Sequence, residues 1–298
     1  MPQRPPVKLP ASSFHDTQRN FPTAARDRQP PLNVPPTYHS IPMQFADLSS
    51  LAKLDVHRLY QEMNDQGVAV IDRVVLPEKL AEARTFVERH LEKHNDQYFS
   101  YSGAQAVAGS LMEELGQLPA FADLLGKLYA LATGTAEGTT PVYQVLRVLK
   151  GSTGRKQAFR FHYDAYVVTA VLPIVIPSAT GGPTGDLVLY PRLRPIRSNN
   201  LVNLIEKVFM QNALAQWIMS REPVCRLLRA KVYRLQPGNL YLFWGYQSLH
   251  ANQPCRPESL RATAVFHLGN PHLRSRLVNL VQQVRVRREA RRREKLKG

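Results

Sequence analysis

His162-Tyr163-Asp164, followed after 85 intervening residues by His250 and eleven positions later by Arg261, is the pattern in this 298-residue chain whose residue types name a chemistry. Two imidazoles and one carboxylate can occupy one face of an octahedral ferrous ion and leave three positions open, enough for a bidentate cosubstrate and dioxygen. Such a ligand set predicts oxygen activation rather than structural metal binding. A cosubstrate that chelates iron through a 2-oxo carboxylate has a second carboxylate at its far end, and a buried guanidinium pairs with that group bidentately. Arg261 heads the stretch Arg261 to His267, otherwise a core strand, and is expected to point inward as the anchor. Thr263, on the same strand face, can add a hydroxyl hydrogen bond.

The elements must bring these groups together. Residues two apart in a strand share a face, so His162 and Asp164 at a strand edge can reach one ion. The second histidine then has to come from a partner strand, and His250 follows the expected strand Leu240 to Trp244 and its turn. From Val142 onward the chain reads as short strands rich in β-branched and aromatic residues: Val142 to Leu149, Ala165 to Ile176, Asp186 to Tyr190, Lys231 to Leu235, Leu240 to Trp244 and Arg261 to Leu268. Turn residues separate them at Gly151 to Gly154, Gly181-Gly182-Pro183 and Pro237-Gly238-Asn239. Many short strands with such punctuation predict a mainly β fold, a sandwich or jelly roll with flanking helices, over residues 141–270.

Residues 44–140 read as a helical support region. Leu48, Leu51, Leu54, Leu59 and Met63 recur at helical spacing, Val68 to Ile71 is a short buried strand, Leu76-Pro77-Glu78 opens a second helix, and a third runs from Pro119 to Ala132. Within the β region, 191–230 carries a helical insertion marked by Leu201, Leu204, Ile205, Val208, Leu214, Trp217 and Ile218 after the candidate caps Ser198 and Asn199. It is expected either to pack for stability or to lid the site. Residues 271–298 form a basic C-terminal helix with one apolar stripe, which either docks on the β core or joins two subunits, leaving monomer and homodimer both open. Residues 1–43 hold ten of the 23 prolines and read as an extended or disordered arm.

Composition permits an enzyme of this kind. With 44% hydrophobic residues the chain can bury one large core or two modest ones. No apolar run approaches the roughly 18–20 residues of a membrane span, and the N-terminal residues lack the apolar run of a signal peptide, so a cytoplasmic protein is expected. Cys225 and Cys255 are too few for a disulfide framework and lack zinc-site spacing. Of the net charge of +16, half comes from residues 272–298, where ten Lys or Arg meet two Glu. That tail can grip nucleic acid or another acidic partner through phosphates or carboxylates, although a charge run by itself is more often a solvated helix end.

Six segments carry a resemblance to a known family: Tyr-Gln-Val-Leu-Arg (143–147), Phe-His-Tyr-Asp (161–164), Gly-Asp-Leu-Val-Leu-Tyr-Pro (185–191), Pro-Gly-Asn-Leu-Tyr-Leu-Phe (237–243), Ser-Leu-His (248–250) and Arg-Ala-Thr (261–263). In this order the chain resembles the 2-oxoglutarate and Fe(II)-dependent dioxygenase superfamily, in its prolyl-hydroxylase-like or phytanoyl-CoA-hydroxylase-like branches. The resemblance implies a double-stranded β-helix, with Fe(II), 2-oxoglutarate and O2 as cofactor and cosubstrates. It makes His162, Asp164 and His250 the iron ligands and Arg261, helped by Thr263, the anchor of the distal carboxylate. Where prolyl hydroxylases carry a tyrosine after Leu-Arg this chain has Val148, so Gln144 or Tyr143 is expected to supply that cosubstrate hydrogen bond. His267 stands where a tryptophan is common in that branch, and either lines the substrate pocket or fills the core. Asp164 favours hydroxylation, because related halogenases have a small residue there. A small metabolite or amino acid, free or carrier-tethered, is the expected substrate; a protein or nucleic acid held by the basic tail, or a non-catalytic binding role, are the other readings.

Overall fold

The computed structural model describes residues 40–41, 48–136, 141–178, 183–196, 210 and 212–271. The expected N-terminal arm over residues 1–39, the basic C-terminal helix beyond residue 271, and the candidate caps Ser198 and Asn199 with Leu201, Leu204, Ile205 and Val208 lie outside the described residues.

Helices come first. A short 3-10 helix, Leu48–Lys53, is followed by α1 (Val56–Asp65), where the sequence spacing predicts one continuous helix. The break falls at Asp55, whose carboxylate accepts hydrogen bonds from the backbone N–H groups of His57 and Arg58 and so starts a new helix. α2 (Pro77–Glu92) opens on Pro77, whose missing N–H costs nothing in a first turn. α3 (Leu111–Gln117), capped by the Ser110 hydroxyl, leads into α4 (Pro119–Thr133), which ends at Gly134 in the left-handed region at φ 68°. A further short helix, α5 (Gly151–Arg155), stands where turn residues are expected.

Among the described residues ten strands follow in chain order, β1 (Ser40–Ile41), β2 (Val68–Ile71), β3 (Phe99–Ser102), β4 (Tyr143–Leu149), β5 (Val168–Val175), β6 (Leu187–Tyr190), β7 (Lys231–Tyr233), β8 (Leu240–Phe243), β9 (Leu249–Asn252) and β10 (Arg261–Leu268). They form a large sheet in the order β1-β2-β8-β5-β10-β4-β3 and a small sheet in the order β7-β6-β9. An isolated antiparallel bridge between His162 and His250 adds a further rung to the small sheet beside β9. Followed from β4 to β10, the chain passes between the two sheets repeatedly, with only β6 and β7 consecutive in the small one. That winding is a double-stranded β-helix. β2 and β3, from the region expected to be mainly helical, extend the large sheet at either side.

Strand alternation sorts the side chains into layers. On β10, Ala262, Ala264, Phe266 and Leu268 join the core under the helices, and on β5 so do Val168, Ala170, Leu172 and Ile174. The intervening residues Thr263, Val265 and His267 of β10, and Thr169 and Val171 of β5, face the interior between the sheets. Val68, Val70, Leu187, Leu189, Tyr241 and Phe243 close one end of that interior with an apolar plug. The outer face of the small sheet, through Val188, Tyr190, Leu249 and Ala251, packs against Cys225 of the insertion, whose described helices are α6 (Ala213–Met219) and α7 (Glu222–Leu227). Leu214, Trp217 and Ile218, expected as the apolar face of the insertion, are exposed. The large sheet is thus covered on both sides, which is why its strands read as nearly unbroken apolar runs.

Candidate metal centre

The backbone sets the three candidate ligands in place. His162 and His250 exchange N–H···O=C bonds of 3.0 Å in each direction, and the Asp164 N–H donates to the Gly245 carbonyl at 3.0 Å. His162 Nδ1 lies 2.9 Å from the Arg160 carbonyl and His250 Nδ1 lies 3.0 Å from the Ser248 carbonyl. A carbonyl only accepts, so both rings carry their proton on Nδ1 and present the Nε2 lone pair inward. Those Nε2 atoms stand 3.7 and 3.5 Å from the two Asp164 carboxylate oxygens, and one ligand atom from each residue falls within 4.8 Å of the others. Two imidazole nitrogens and a carboxylate, the rings oriented from behind, suit a divalent first-row metal such as ferrous iron.

Electrostatics agree with that role. Burial would raise the Asp164 pKa, but His250, His267, His162 and the Thr169 hydroxyl outweigh it and hold the carboxyl well below the usual range. The surrounding protein, with His250 beside it, keeps the His162 imidazole neutral by lowering its pKa. Behind Asp164 runs a second set of contacts. Thr169 Oγ1 donates to Asp164 Oδ2 at 2.6 Å, which leaves its oxygen to accept from His267 Nδ1 at 3.1 Å. His267 stacks on Tyr166 at 5.2 Å between centroids, and Tyr166 on Tyr143 at 5.7 Å. On the other flank, the buried Arg194 guanidinium lies 4.0 Å from the ring centre of Tyr163 and 4.1 Å from that of Tyr246, tying the segment after β6 to the ligand triplet.

Arg261 is 5% exposed and donates from Nε to the Gly185 carbonyl at 2.9 Å and from Nη1 to Thr263 Oγ1 at 3.5 Å. Burial and the neighbouring Arg147 lower its pKa to about 10, still above neutrality, so the guanidinium is charged. His162, Asp164, His250, Arg261, Thr263 and His267 all line one cavity of about 210 Å³ between the sheets. Pockets for drug-sized ligands are typically ~300–1,000 Å³, so this one suits a compact ligand. Two of the expected residues stand elsewhere. Gln144 is buried with its amide against Gly116 of α3, where an added Cβ would lie 1.8 Å from Nε2, and Tyr143 is taken up in the aromatic stack. Neither is among the residues lining the cavity.

Four residues that sequence reasoning missed belong to the site. Thr169 and Arg147 line it from β5 and β4. Gly245 and Gly185 make room for it: a Cβ at Gly245 would meet Thr169 Oγ1 at 2.1 Å and Asp164 Oδ2 at 2.4 Å, and one at Gly185 would meet Arg261 Cδ at 2.5 Å. Gly245 sits in the turn after Trp244, and Gly185 in the Gly-Asp-Leu segment before β6, so their positions were visible although their purpose was not.

No protein-family model matches the sequence, and no curated protein is similar to it in sequence. Among solved structures, the chain is similar to the non-haem α-ketoglutarate-dependent carbocyclase SnoK of nogalamycin biosynthesis, at 15% identity and a TM-score of 0.47 over 76% of this chain and 91% of that one. It is similar to a prolyl-4-hydroxylase of Pseudomonas putida at 12% identity and a TM-score of 0.44, over 72% of this chain and 99% of that one. The epimerase SnoN in complex with Fe3+, α-ketoglutarate and nogalamycin RO is similar at 15% identity and a TM-score of 0.45, over 72% and 83% of the two chains. At these TM-scores the likenesses are distant.

Proposed function

We propose that the protein is a non-haem Fe(II)- and 2-oxoglutarate-dependent oxygenase that hydroxylates a C–H bond of a small molecule. One observation carries the reading: a His-Asp-His cluster with both Nε2 lone pairs turned inward shares a cavity of about 210 Å³ with a buried, charged arginine paired to a threonine hydroxyl. The cluster suits the ion and the arginine suits a carboxylate held at a distance from it. The compact cavity suits a cosubstrate of the size of 2-oxoglutarate.

His162, Asp164 and His250 would hold the iron, and Arg261 with Thr263 would bind the distal carboxylate of 2-oxoglutarate. When bound, ferrous iron supplies the redox chemistry that couples decarboxylation of 2-oxoglutarate to succinate and carbon dioxide with transfer of one oxygen atom from O2 to the substrate carbon. The protein's part is placement. Thr169, by donating to Asp164, adds to the histidines in holding that carboxylate ionised and fixes its plane. The apolar wall of Val145, Val171, Phe243 and Val265 excludes water from the reacting centre. The side chain of His162, 44% exposed, marks the side from which a substrate approaches, whereas that of His250, 8% exposed, backs onto the core.

Succinate formation from 2-oxoglutarate, required to depend on added Fe(II), tests the proposal, with a small-molecule library read by mass for the gain of one oxygen atom. His162→Ala and His250→Ala are expected to abolish turnover while retaining the fold. Undiminished turnover in either would remove the assignment.

A further inference from the structure

We propose that Arg147 recognises an anionic substituent, a carboxylate or a phosphate, on the small molecule oxidised at this site; the inference rests on the oxygenase reading above. Arg147 lies on β4 directly opposite Thr263 of β10. Its neighbours Leu146 and Val148 point into the core beneath the helices, so strand alternation turns Arg147 inward, where it lines the cavity beside His162 and Arg261. Val145, two residues earlier on the same face, is apolar; an arginine is not needed there merely to build the wall.

The position is costly for a cation. Among the described residues Arg147 has no hydrogen-bond or ion-pair partner, and its charge acts on Arg261 and His162, two groups that gain nothing from it. A half-buried charge with a like charge nearby destabilises a site unless something of opposite sign completes it. The Asp186 carboxylate acts on Arg261, whereas Arg147 itself has no hydrogen-bond or ion-pair partner among the described residues, and an anionic group on the substrate would supply one. The Arg147 fork of donors suits a planar carboxylate or a phosphate, either of which it grips bidentately.

The test uses the full chain loaded with Mn(II) and N-oxalylglycine, an unreactive isostere of 2-oxoglutarate, so that binding is read without turnover. Matched pairs are titrated by calorimetry: amino acids and hydroxy acids against their primary amides, and sugar phosphates against the parent sugars. The expected result is an acid or a phosphate that binds at least ~10-fold tighter than its neutral partner, a preference lost in Arg147→Gln and partly kept in Arg147→Lys. The two arms separate carboxylate from phosphate. N-oxalylglycine affinity is expected to stay within about threefold in Arg147→Gln but to fall ~10-fold or more in Arg261→Gln. If Arg147→Gln weakens N-oxalylglycine as much as Arg261→Gln does, Arg147 belongs to the cosubstrate and the proposal fails. It fails equally if no anionic compound outbinds its neutral partner. Failure of the oxygenase reading itself looks different: wild-type protein would bind neither Mn(II) nor N-oxalylglycine.

Discussion

Asp164 is oriented from behind as closely as it is used from in front, and that gives the residue scale its tests. Thr169 donates to one carboxylate oxygen at 2.6 Å and accepts from His267 at 3.1 Å, so Thr169→Val removes the bond that fixes the carboxylate plane while keeping the shape of the side chain. Loss of such a supporting contact typically costs ~10–100-fold in metal affinity, and a fall of that size is expected in a Fe(II) or Mn(II) titration. Gly245→Ala should do the same by a different route, because its Cβ would press on both Thr169 Oγ1 and Asp164 Oδ2. A metal affinity unchanged in both variants would show that Asp164 needs no such support. Arg261→Lys keeps the charge but loses the planar fork, and 2-oxoglutarate binding is expected to weaken by about 10–100-fold, read as KM or by direct titration. At this scale the clustering of His162, Asp164 and His250 and the inward burial of Arg261 beside Thr263 were legible, because histidine, aspartate and a lone strand arginine are costly to bury without purpose. Thr169 was not, because a threonine in a β strand is ordinary and only the register of β5 against β10, Thr169 opposite His267, shows what its hydroxyl meets.

β10 is the element on which both halves of the molecule depend. One face supplies Arg261, Thr263 and His267 to the cavity, and the other packs Phe266, fully buried, edge-on to Phe121 of α4 at 5.2 Å. Phe266→Ala is therefore expected to cost about 3–5 kcal/mol, measured from urea denaturation midpoints. Because β10 is bonded along its length to both β4 and β5, the same variant should loosen 2-oxoglutarate binding, although Phe266 points away from the site. Seven of the strands were readable, six as β-branched and aromatic runs between turns and β2 as the short apolar run Val68 to Ile71. β9 was not: Leu249-His250-Ala251-Asn252 shows little apolar run because His250 and Asn252 face the cavity, so the strand bearing a site residue is the one whose pattern the site disguises. α5 was hidden differently. Gly151 to Arg155 has poor helix propensity, and the turn forms because the Gly151 N–H bonds the Pro257 carbonyl at 2.8 Å and Gly154, without a side chain, sits against the Leu149 backbone. Pro257 is more than a hundred residues away in sequence. The caps Asp55 and Gly134 explain why the helix boundaries were readable to within a few residues once the break at Asp55 is included.

For the whole molecule, the buried titratable groups set a window of stability that can be measured without any ligand. His267 is held neutral by burial, with a pKa below the ordinary ~6.5, so the unfolded chain takes up its proton first. Its contribution is complete above about pH 6.5 and is lost as the pH falls below it. Burial pushes the thiols of Cys225 and Cys255 upward, and likewise the phenols of Tyr190, Tyr233, Tyr166 and Tyr101. Here the unfolded chain ionises first, so stability is complete below about pH 8.5, declines as the thiols titrate, and declines more steeply above ~10 as the tyrosines follow. Asp164 has the opposite sign to the thiols, its depressed pKa adding stability above ~3.9, and so it does not act inside this window. Each fully shifted group contributes at most ~1.4 kcal/mol per pH unit. Urea midpoints of the metal-free protein are expected to peak between about pH 6.5 and 8.5 and to fall on both sides, with Cys225→Ala flattening the early part of the alkaline limb. The net charge of +16 adds a separate acid-side penalty through self-repulsion, which salt screens, whereas the buried groups keep their effect at about 1 M salt. A midpoint that stays flat across the range at high salt would mean that these side chains are solvated in the folded protein, and the packed interior that isolates the site would have to be abandoned.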